Sequence, residues 1–208
     1  MKRIFQLTTL FATAAVVVVS CAGPKPEKTI ENLKAAITGE TNASAKYKAF
    51  SAKAAEEGYF NIAKMFAAAS AAETIHVKNH NAVLTKLGEE PFNPVAETPV
   101  VNGTAANLWD AIEGEIYECT EMYPEFIDVA AVEKCTDALT SFTWASDAEA
   151  THAKLYGKVL DILTATGEDA TVASVWYTCP KCGDLFNTIE GVASCPLCAT
   201  KSSAFEKF

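Results

Sequence analysis

Two copies of one short motif, Glu73-Thr-Ile-His76 and Glu149-Ala-Thr-His152, lie within the apolar stripes of two long helical segments. Around each motif the apolar residues recur at alternating steps of three and four, so they share one helix face with the Glu and the His. The first stripe comprises Ile62, Phe66, Ala69, His80, Val83 and Leu87, and the second comprises Phe142, Ala145, Tyr156, Val159 and Leu163. Charged side chains therefore occupy positions that would otherwise form the core of a helix bundle.

A further helical stripe precedes each motif and also carries a glutamate on its apolar face. Glu40 lies in the stripe before the first motif, and Glu115 lies in the stripe before the second, with Glu118 one turn beyond. Residues 89–103 are too rich in proline to be helical, and we expect them to form a long crossover between two helix pairs. The sequence therefore predicts an all-α four-helix bundle with one long connection, the ferritin-like arrangement.

Glycine and proline indicate where these helices end or bend. Gly58 is a suitable C-terminal glycine for the first helix. We expect the third helix to continue to about Ala130 with a bend at Pro124, and the fourth helix to span roughly Val132 to Ala165.

The negative charge on these stripes requires cations. Burying a bare carboxylate in a bundle costs on the order of several kcal/mol, and the stripes contain neither lysine nor arginine. Oxygen ligands with a few imidazoles suit hard or borderline divalent ions, and this much charge indicates two of them. One Glu from each of two helices plus Glu-x-x-His from each of the other two is the ligand set of di-iron and di-manganese carboxylate bundles.

The C-terminal segment carries a second metal motif. Cys179-Pro-Lys-Cys182 and Cys195-Pro-Leu-Cys198 are two C-x-x-C knuckles separated by a short span. Their spacing predicts a tetrahedral site of four thiolates, without which so short a module could hardly fold. Zinc would make this module a structural ribbon and iron would make it a one-electron centre, and the ligand geometry alone permits both.

The composition and the first residues limit which binding partners and which cellular location are expected. The chain has 208 residues and a formal net charge of -9, which argues against a nucleic-acid partner because phosphate would be repelled. A short basic start and an apolar stretch predict a signal peptide, and its end resembles a bacterial lipoprotein signal in which Cys21 carries lipid. A plain secretory signal is the alternative. We expect the following division: signal peptide 1–20, tether 21–28, helix bundle 29–165, linker 166–174 and four-cysteine module 175–208.

Several motifs together resemble the rubrerythrin family in their order and spacing. They are Gly39-Glu40 followed by Tyr47, Glu73-x-x-His76, Gly114-Glu115-x-x-Glu118 with Thr120-Glu121-Met122-Tyr123-Pro124, and Glu149-x-x-His152. The two cysteine knuckles and Phe205-Glu206 fit the rubredoxin-like domain of that family, so the resemblance covers residues 28–208. Asp184 departs from the aromatic residue often found after the first knuckle, which bears on the potential of the iron and not on the fold.

The resemblance implies a role for each matching carboxylate and histidine. Glu73 and Glu149 would help to hold two irons, with Glu40 and Glu115 as flanking carboxylates and His152 as a ligand of one iron. In the family, one iron exchanges a glutamate ligand for a histidine ligand with redox state. The matching pair here is Glu118 and His76.

Two tyrosines complete the expected site. Tyr47 and Tyr123 match tyrosines near the carboxylates, where hydrogen bonding to them and plain core packing are both open. His80 lies one turn beyond His76, and we expect a packed or hydrogen-bonded side chain because the ligand set is complete without it. Cys119 and Cys135 are expected to be buried thiols, too far apart along antiparallel helices for a disulfide.

The function implied by the resemblance is reduction of hydrogen peroxide to water at a di-iron site. Electrons from an unidentified donor would arrive through the rubredoxin-type iron, which the family often supplies from the partner chain of a homodimer. Manganese remains an alternative metal in the bundle, and zinc remains an alternative at the four cysteines. The functional alternatives are a ferroxidase or iron-handling protein, and a non-catalytic metal-binding module with a zinc ribbon.

The expected leader has a consequence for the electron donor. An exported lipoprotein, anchored to a membrane and facing the periplasm or the cell exterior, could not reach cytoplasmic reductases. We therefore expect a donor that is itself linked to the membrane.

Overall fold

The computed structural model describes residues 25–208, so the expected signal peptide and Cys21, which is expected to carry lipid, lie outside the described residues. The bundle consists of α1 Glu27–Glu56, α2 Phe60–Lys86, α3 Thr104–Tyr117, α4 Tyr123–Val132 and α5 Thr136–Thr166. A π-helical turn, Glu118–Met122, joins α3 to α4, and the two form one interrupted helix. The predicted four-helix bundle is therefore confirmed, with α1 packed on α2 and the α3–α4 helix packed on α5.

A tight turn sets the antiparallel pairing of α1 and α2. Gly58 follows α1 with a φ of 89°, its amide donates to the carbonyl of Ala55 at 3.1 Å, and the amide of Tyr59 donates to the carbonyl of Ala54 at 2.8 Å. These bonds satisfy two carbonyls at the helix end, and a left-handed residue of this kind is usually glycine because no Cβ clashes. The chain can therefore reverse within three residues and begin α2 at Phe60.

The second helix pair differs in two ways from the sequence-based expectation. We expected one helix bent at Pro124, whereas the irregularity is the π-helical turn that immediately precedes α4. The turn lies immediately before Pro124, which cannot donate to the helical ladder. We also expected the last helix to begin near residue 132, but it begins at Thr136, because Lys134 adopts a φ of 57° that breaks the helix.

Two apolar clusters fill the bundle, one on each side of a charged layer formed by buried glutamate and histidine side chains. The first includes Tyr47, Phe50, Phe66 and Tyr156, and the second includes Leu33, Tyr123, Phe126 and Phe142. The crossover between the helix pairs has no regular structure and is pinned by Asn81, whose amide group exchanges two hydrogen bonds with the backbone of Phe92. The aromatic rings thus exclude water above and below the charged layer.

The C-terminal module packs on its own chain's bundle. Its strands, β1 Tyr177–Thr178, β2 Leu185–Phe186 and β3 Glu206–Lys207, form an antiparallel sheet in the order β2-β1-β3. Trp176 is buried in the first apolar cluster, and the hydroxyl of Thr178 donates to the carbonyl of Ala68 at 3.1 Å. Asp169 in the linker caps α2, accepting from the amides of Asn61 at 2.6 Å and Ile62 at 3.3 Å.

No helix within residues 25–208 combines the length and the apolarity needed to cross a membrane.

Candidate metal centre

The bundle brings six predicted ligand residues into one buried layer, in which no side chain is more than 1% exposed. They form two overlapping groups, and within each group one potential ligand atom per residue lies within 4.8 Å of the others. The first group is Glu40, Glu73, His76 and Glu149, and the second is Glu73, Glu115, Glu149 and His152. Two carboxylates are thus shared between two potential cation positions.

Distances place the shared carboxylates between the two histidines, where they would hold both cations. The two oxygens of Glu149 lie 2.8 Å from Nδ1 of His76 and 2.7 Å from Nδ1 of His152. The two oxygens of Glu73 lie 3.0 Å and 3.6 Å from the same two nitrogens. Glu40 and Glu115 each approach a single histidine, at 3.7 Å. The layer can therefore hold two cations, each with one flanking carboxylate, one imidazole and two bridging carboxylates.

The four-cysteine module fixes the orientation of both histidines. Nε2 of His76 lies 2.9 Å from the carbonyl oxygen of Cys182, and Nε2 of His152 lies 3.1 Å from that of Gly183. A carbonyl can only accept, so each neutral imidazole carries its proton on Nε2. The lone pair on each Nδ1 then points into the carboxylate layer, the arrangement that a metal-ligating histidine needs.

The electrostatics of the layer fit two cations. Burial, reinforced by repulsion from Glu149, raises the pKa of Glu115 to about 7, and the pKa of Glu73 is raised well above its ordinary value for the same reasons. Burial acts to lower the pKa of His76, but Glu149 and the other nearby carboxylates raise it well above its ordinary value. Without metal, an imidazolium therefore supplies the positive charge that the carboxylates require.

Unpartnered polar atoms identify the same positions. Both oxygens of Glu73, both oxygens of Glu149 and the Nδ1 atoms of the two histidines are buried without a hydrogen-bond partner in the described chain. Buried polar atoms of this kind are costly unless something satisfies them. Two divalent ions would satisfy all six atoms at once, so these residues fit a pair of metal ions.

Glu118 lies outside both groups. Its Oε1 is 3.7 Å from the position that a Cβ on Gly39 would occupy, and it lines a surface pocket of 290 Å³ with Lys46 and Pro99. Burial, followed by repulsion from Glu40 and the other carboxylates, raises the pKa of Glu118 well above its ordinary value. In this structure, therefore, His76 faces the carboxylate layer and Glu118 lies outside it.

Both predicted tyrosines hydrogen-bond to flanking carboxylates. The hydroxyl of Tyr47 donates to Oε1 of Glu115 at 2.7 Å, and the hydroxyl of Tyr123 donates to Oε1 of Glu40. His80 is not among the potential ligands: its Nε2 lies 3.1 Å from the hydroxyl oxygen of Tyr123. Its expected hydrogen-bonded role is therefore the one observed.

The four knuckle cysteines form a buried cluster in the C-terminal module. Sγ of Cys179 lies 3.4 Å from that of Cys198, and Sγ of Cys182 lies 3.5 Å from that of Cys195. These separations exceed a disulfide bond by far and suit thiolates around one metal ion. The hydrogen bond from Cys182 and those from neighbouring backbone amides lower the pKa of Cys179 to about 5, so that a thiolate is available at neutral pH.

Three other residues noted in the sequence have defined environments. Asp184 is buried, with Oδ2 3.8 Å from Sγ of Cys195, and burial raises its pKa to about 6. Cys119 and Cys135 are both free thiols. Cys135 is buried as expected, but the expectation was wrong for Cys119, which is partly exposed because it lies in the π-helical turn away from the core.

The contact between the two metal sites is the feature that sequence reasoning missed. A Cβ on Gly183 would lie only 2.2 Å from Nε2 of His76, so the first knuckle rests directly against the histidine. Glycine after a C-x-x-C knuckle is visible in the sequence, but nothing there indicates which surface it meets. Ser141, which lies 2.9 Å from Nδ1 of His80, was likewise not singled out.

Comparison with known proteins identifies the family. Residues 31–160 match the family described as Rubrerythrin. Nigerythrin of Nitratidesulfovibrio vulgaris is 37% identical over 180 residues, covering 86% of each chain, and rubrerythrin-2 of Clostridium acetobutylicum is 33% identical over 188 residues, covering 88% of this chain and 98% of its own.

Solved structures agree with this assignment. The structure titled fully reduced state of nigerythrin (all ferrous) superposes with a TM-score of 0.76 at 35% identity, covering 100% of both chains. An open-pore ferritin from Archaeoglobus fulgidus, 17% identical over 70% of this chain and 89% of its own, has a TM-score of 0.62 and shows the bundle fold alone. The chain therefore belongs to the rubrerythrin family, with a carboxylate and histidine di-iron site in the bundle and a four-cysteine metal site in the C-terminal module that is consistent with iron.

Proposed function

We propose that this protein reduces hydrogen peroxide to water at the bundle site, with electrons arriving through the four-cysteine site. The observation that carries the proposal is the pair of hydrogen bonds from His76 and His152 to the backbone of Cys182 and Gly183. Cys182 is also one of the four thiols, so a short path of bonds runs from its sulfur through its carbonyl to the imidazole of His76. A purely structural zinc ribbon would not need this connection.

The chain's own residues would bind and position the peroxide. Iron at both positions of the bundle would supply one electron each to the O–O bond, and the buried layer would exclude competing water. The surface pocket lined by Gly39 and Glu118 lies beside the residue that precedes Glu40, and it would be the entry for a molecule as small as peroxide. Tyr47 would hold Glu115 in place through its hydroxyl.

Glu118 and His76 would alternate as ligands with redox state. His76 faces the layer in this structure, while the carboxyl of Glu118 lies outside it, next to Gly39. Oxidation adds positive charge to the site and favours an additional carboxylate over a neutral imidazole. Glu118 would therefore move inward on oxidation and outward on reduction.

The test is rapid mixing of the anaerobically reduced, iron-loaded protein with hydrogen peroxide. The expected result is fast and stoichiometric return of the visible iron-thiolate bands, much slower in Glu118→Ala and abolished in Cys198→Ser. A four-cysteine site that binds only zinc and stays colourless would favour the metal-binding alternative. Rapid oxidation of added iron(II) by oxygen, with slow reaction toward peroxide, would favour the ferroxidase.

A homodimer is also part of this proposal. Apolar side chains are exposed on one face of α3, where Trp109 is 58%, Ile116 48% and Tyr117 53% exposed. A second copy covering this face would bury them. The contact between the two metal sites is made within one chain here, so dimerisation is not required for it. Sedimentation of the metal-loaded protein as a monomer would contradict the dimer.

We further propose that the protein is exported and held at a membrane by lipid on Cys21, facing the periplasm or the cell exterior, with a membrane-linked electron donor. The support is the sequence of residues 1–21. Cys21→Ser should abolish both the lipid attachment and the cleavage before residue 21, so the mass of the variant should include residues 1–20 and no lipid. Intact residues 1–20 on the unaltered protein in a cytoplasmic fraction would refute export.

A further inference from the structure

A chain of hydrogen bonds leads from the charged layer to the protein surface. The hydroxyl of Tyr123 donates to Oε1 of Glu40, and its oxygen lies 3.1 Å from Nε2 of His80. On the other side of the same ring, Nδ1 of His80 lies 2.9 Å from Oγ of Ser141. The three residues come from α4, α2 and α5, so the chain crosses the bundle and links three helices.

The donors in this chain all point the same way. The hydroxyl of Tyr123 donates its proton to Glu40, so the hydroxyl oxygen must accept a hydrogen bond from His80. Nε2 of His80 therefore carries the proton. Nδ1 is then the acceptor and takes the hydroxyl proton of Ser141. His80 is neutral in this arrangement, because burial and the nearby His76 lower its pKa to about 3. The proton on each link thus faces the charged layer.

The outer end of the chain reaches water. Ser141 is 5% exposed and lines a surface pocket of 210 Å³, which is large enough to admit water molecules. Lys86 and Asp137 line the same pocket and form an ion pair of 2.9 Å between their side chains. The hydroxyl of Ser141 can therefore accept a proton from solvent at the moment when it gives one to His80.

We propose that Ser141, His80 and Tyr123 form a proton path from the surface pocket to Glu40. This inference rests on the proposed function, because reduction of one peroxide consumes two electrons and two protons and yields two water molecules. In one transfer, Tyr123 gives its proton to Glu40 and takes that of His80, which takes that of Ser141, which takes one from water. Ser141, His80 and Tyr123 each lose one proton as they gain another, so none of the three is left charged, and Glu40 would pass the proton that it gains to the oxygen that leaves as water.

The path makes Ser141 and His80 positioning residues that act on the reaction without touching the peroxide. Removing the hydroxyl of Ser141 cuts the path between His80 and the pocket, and it leaves the contact of Tyr123 with Glu40 in place. Loss of a positioned proton-transfer group slows a reaction by roughly tenfold or more. Thr140→Ala is the matched control, because Thr140 lines the same pocket but donates only to the carbonyl of Thr136 in its own helix.

The experiment compares single-turnover oxidation of the reduced, iron-loaded protein by hydrogen peroxide in H2O and in D2O. We expect Ser141→Ala to react roughly tenfold more slowly with a larger solvent isotope effect, and Thr140→Ala to match the unaltered protein. A His80→Gln variant should show the same defect. Equal rates and equal isotope effects in Ser141→Ala and Thr140→Ala would overturn the proposal, provided that the unaltered protein reduces peroxide.

A second measurement does not depend on activity. The side-chain nitrogen resonances of His80 in the zinc-loaded protein report which ring nitrogen carries the proton. We expect a neutral ring protonated on Nε2, with a change in the Nδ1 resonance in Ser141→Ala and none in Thr140→Ala. Protonation of Nδ1 instead would overturn the direction of the path. Failure of peroxide reduction with the expected resonances would count against the proposed function and leave the hydrogen-bonded path established.

Discussion

The close contact between the first cysteine knuckle and His76 makes Gly183 the most informative position to substitute. Gly183 has a φ of 82°, and a Cβ there would lie 2.2 Å from Nε2 and 2.7 Å from Cδ2 of His76. Carbon and nitrogen atoms pack at about 3.5 Å, so the ring or the knuckle would have to move by about 1 Å. Gly183→Ala should therefore push the first cysteine knuckle away from the bundle at this contact.

Gly191 offers a control that isolates this contact. It has a similar φ of 75°, but no atom lies within 4 Å of the position of its Cβ. Alanine in this left-handed region costs about 1 to 2 kcal/mol at either position. Overpacking against His76 adds about 1 to 3 kcal/mol at Gly183 alone. We expect Gly183→Ala to lower the free energy of unfolding by about 2 to 5 kcal/mol, and Gly191→Ala by about 1 to 2 kcal/mol.

Two assays measure this difference. Denaturant unfolding of the metal-loaded proteins gives the free energies, and rapid mixing with peroxide gives the rate at which the four-cysteine iron is reoxidised. Gly183→Ala should slow that reoxidation strongly, because the hydrogen bonds of Cys182 and Gly183 to the histidines are lost, whereas Gly191→Ala should not. Equal unfolding free energies and equal reoxidation rates in the two variants would refute the direct contact between the knuckle and His76.

Three further predictions concern the charges around the two sites. At pH 8, Asp184→Asn should raise the reduction potential of the four-cysteine iron by roughly several tens of millivolts, because it removes a negative charge beside Cys195. A redox titration measures this potential, and an unchanged value would contradict the prediction. Calorimetric melting of the metal-free protein should show stability falling from pH 5 to pH 8, since folded Glu115 keeps its proton up to a pKa of about 7 and the unfolded chain releases it near 4.5. The metal-loaded protein should not show that fall. Tyr47→Phe should lower the free energy of unfolding by about 1 to 3 kcal/mol, because the buried carboxylate of Glu115 loses a donor.

The helical period explains how much of the bundle site could be predicted from sequence. Glu40, Glu73, Glu115 and Glu149 all interrupt apolar stripes at core positions, and a helix of known period places such residues on one face. The end of α1 could also be predicted from sequence, because Gly58 is a typical residue at a helix C-terminus. Local signals of this kind fix which residues meet within the bundle.

Contacts between distant segments carry no comparable signal. The knuckle contact with His76 depends on how the linker, capped onto α2 by Asp169, directs the module across the bundle surface. The position of Glu118 depends on the π-helical turn, whose location the proline indicated only approximately. Ser141 meets His80 because α5 packs against α2 in one particular rotation. These features follow from packing, which a single sequence does not specify.

The π-helical turn also explains how a duplicated sequence makes a nearly symmetric site. Tyr123 follows Glu115 by one residue more than Tyr47 follows Glu40, yet each tyrosine donates to the flanking carboxylate of the opposite half. A π turn absorbs one extra residue within a continuous helix, so the second tyrosine regains the orientation of the first.

The symmetry fails at one informative place. His80 follows the first Glu-x-x-His motif by one turn, and the corresponding residue after the second motif is Tyr156. Both rings pack beside a tyrosine of the site, with centroids 6.0 Å apart for His80 and Tyr123 and 5.8 Å apart for Tyr156 and Tyr47. His80 has a hydrogen-bond partner on each ring nitrogen, Tyr123 on one side and Ser141 on the other, whereas the buried hydroxyl of Tyr156 has no hydrogen-bond partner in the described part of the chain. The continuous chain of hydrogen bonds on which the proposed proton path rests is therefore present only in the half of the described bundle that contains His80.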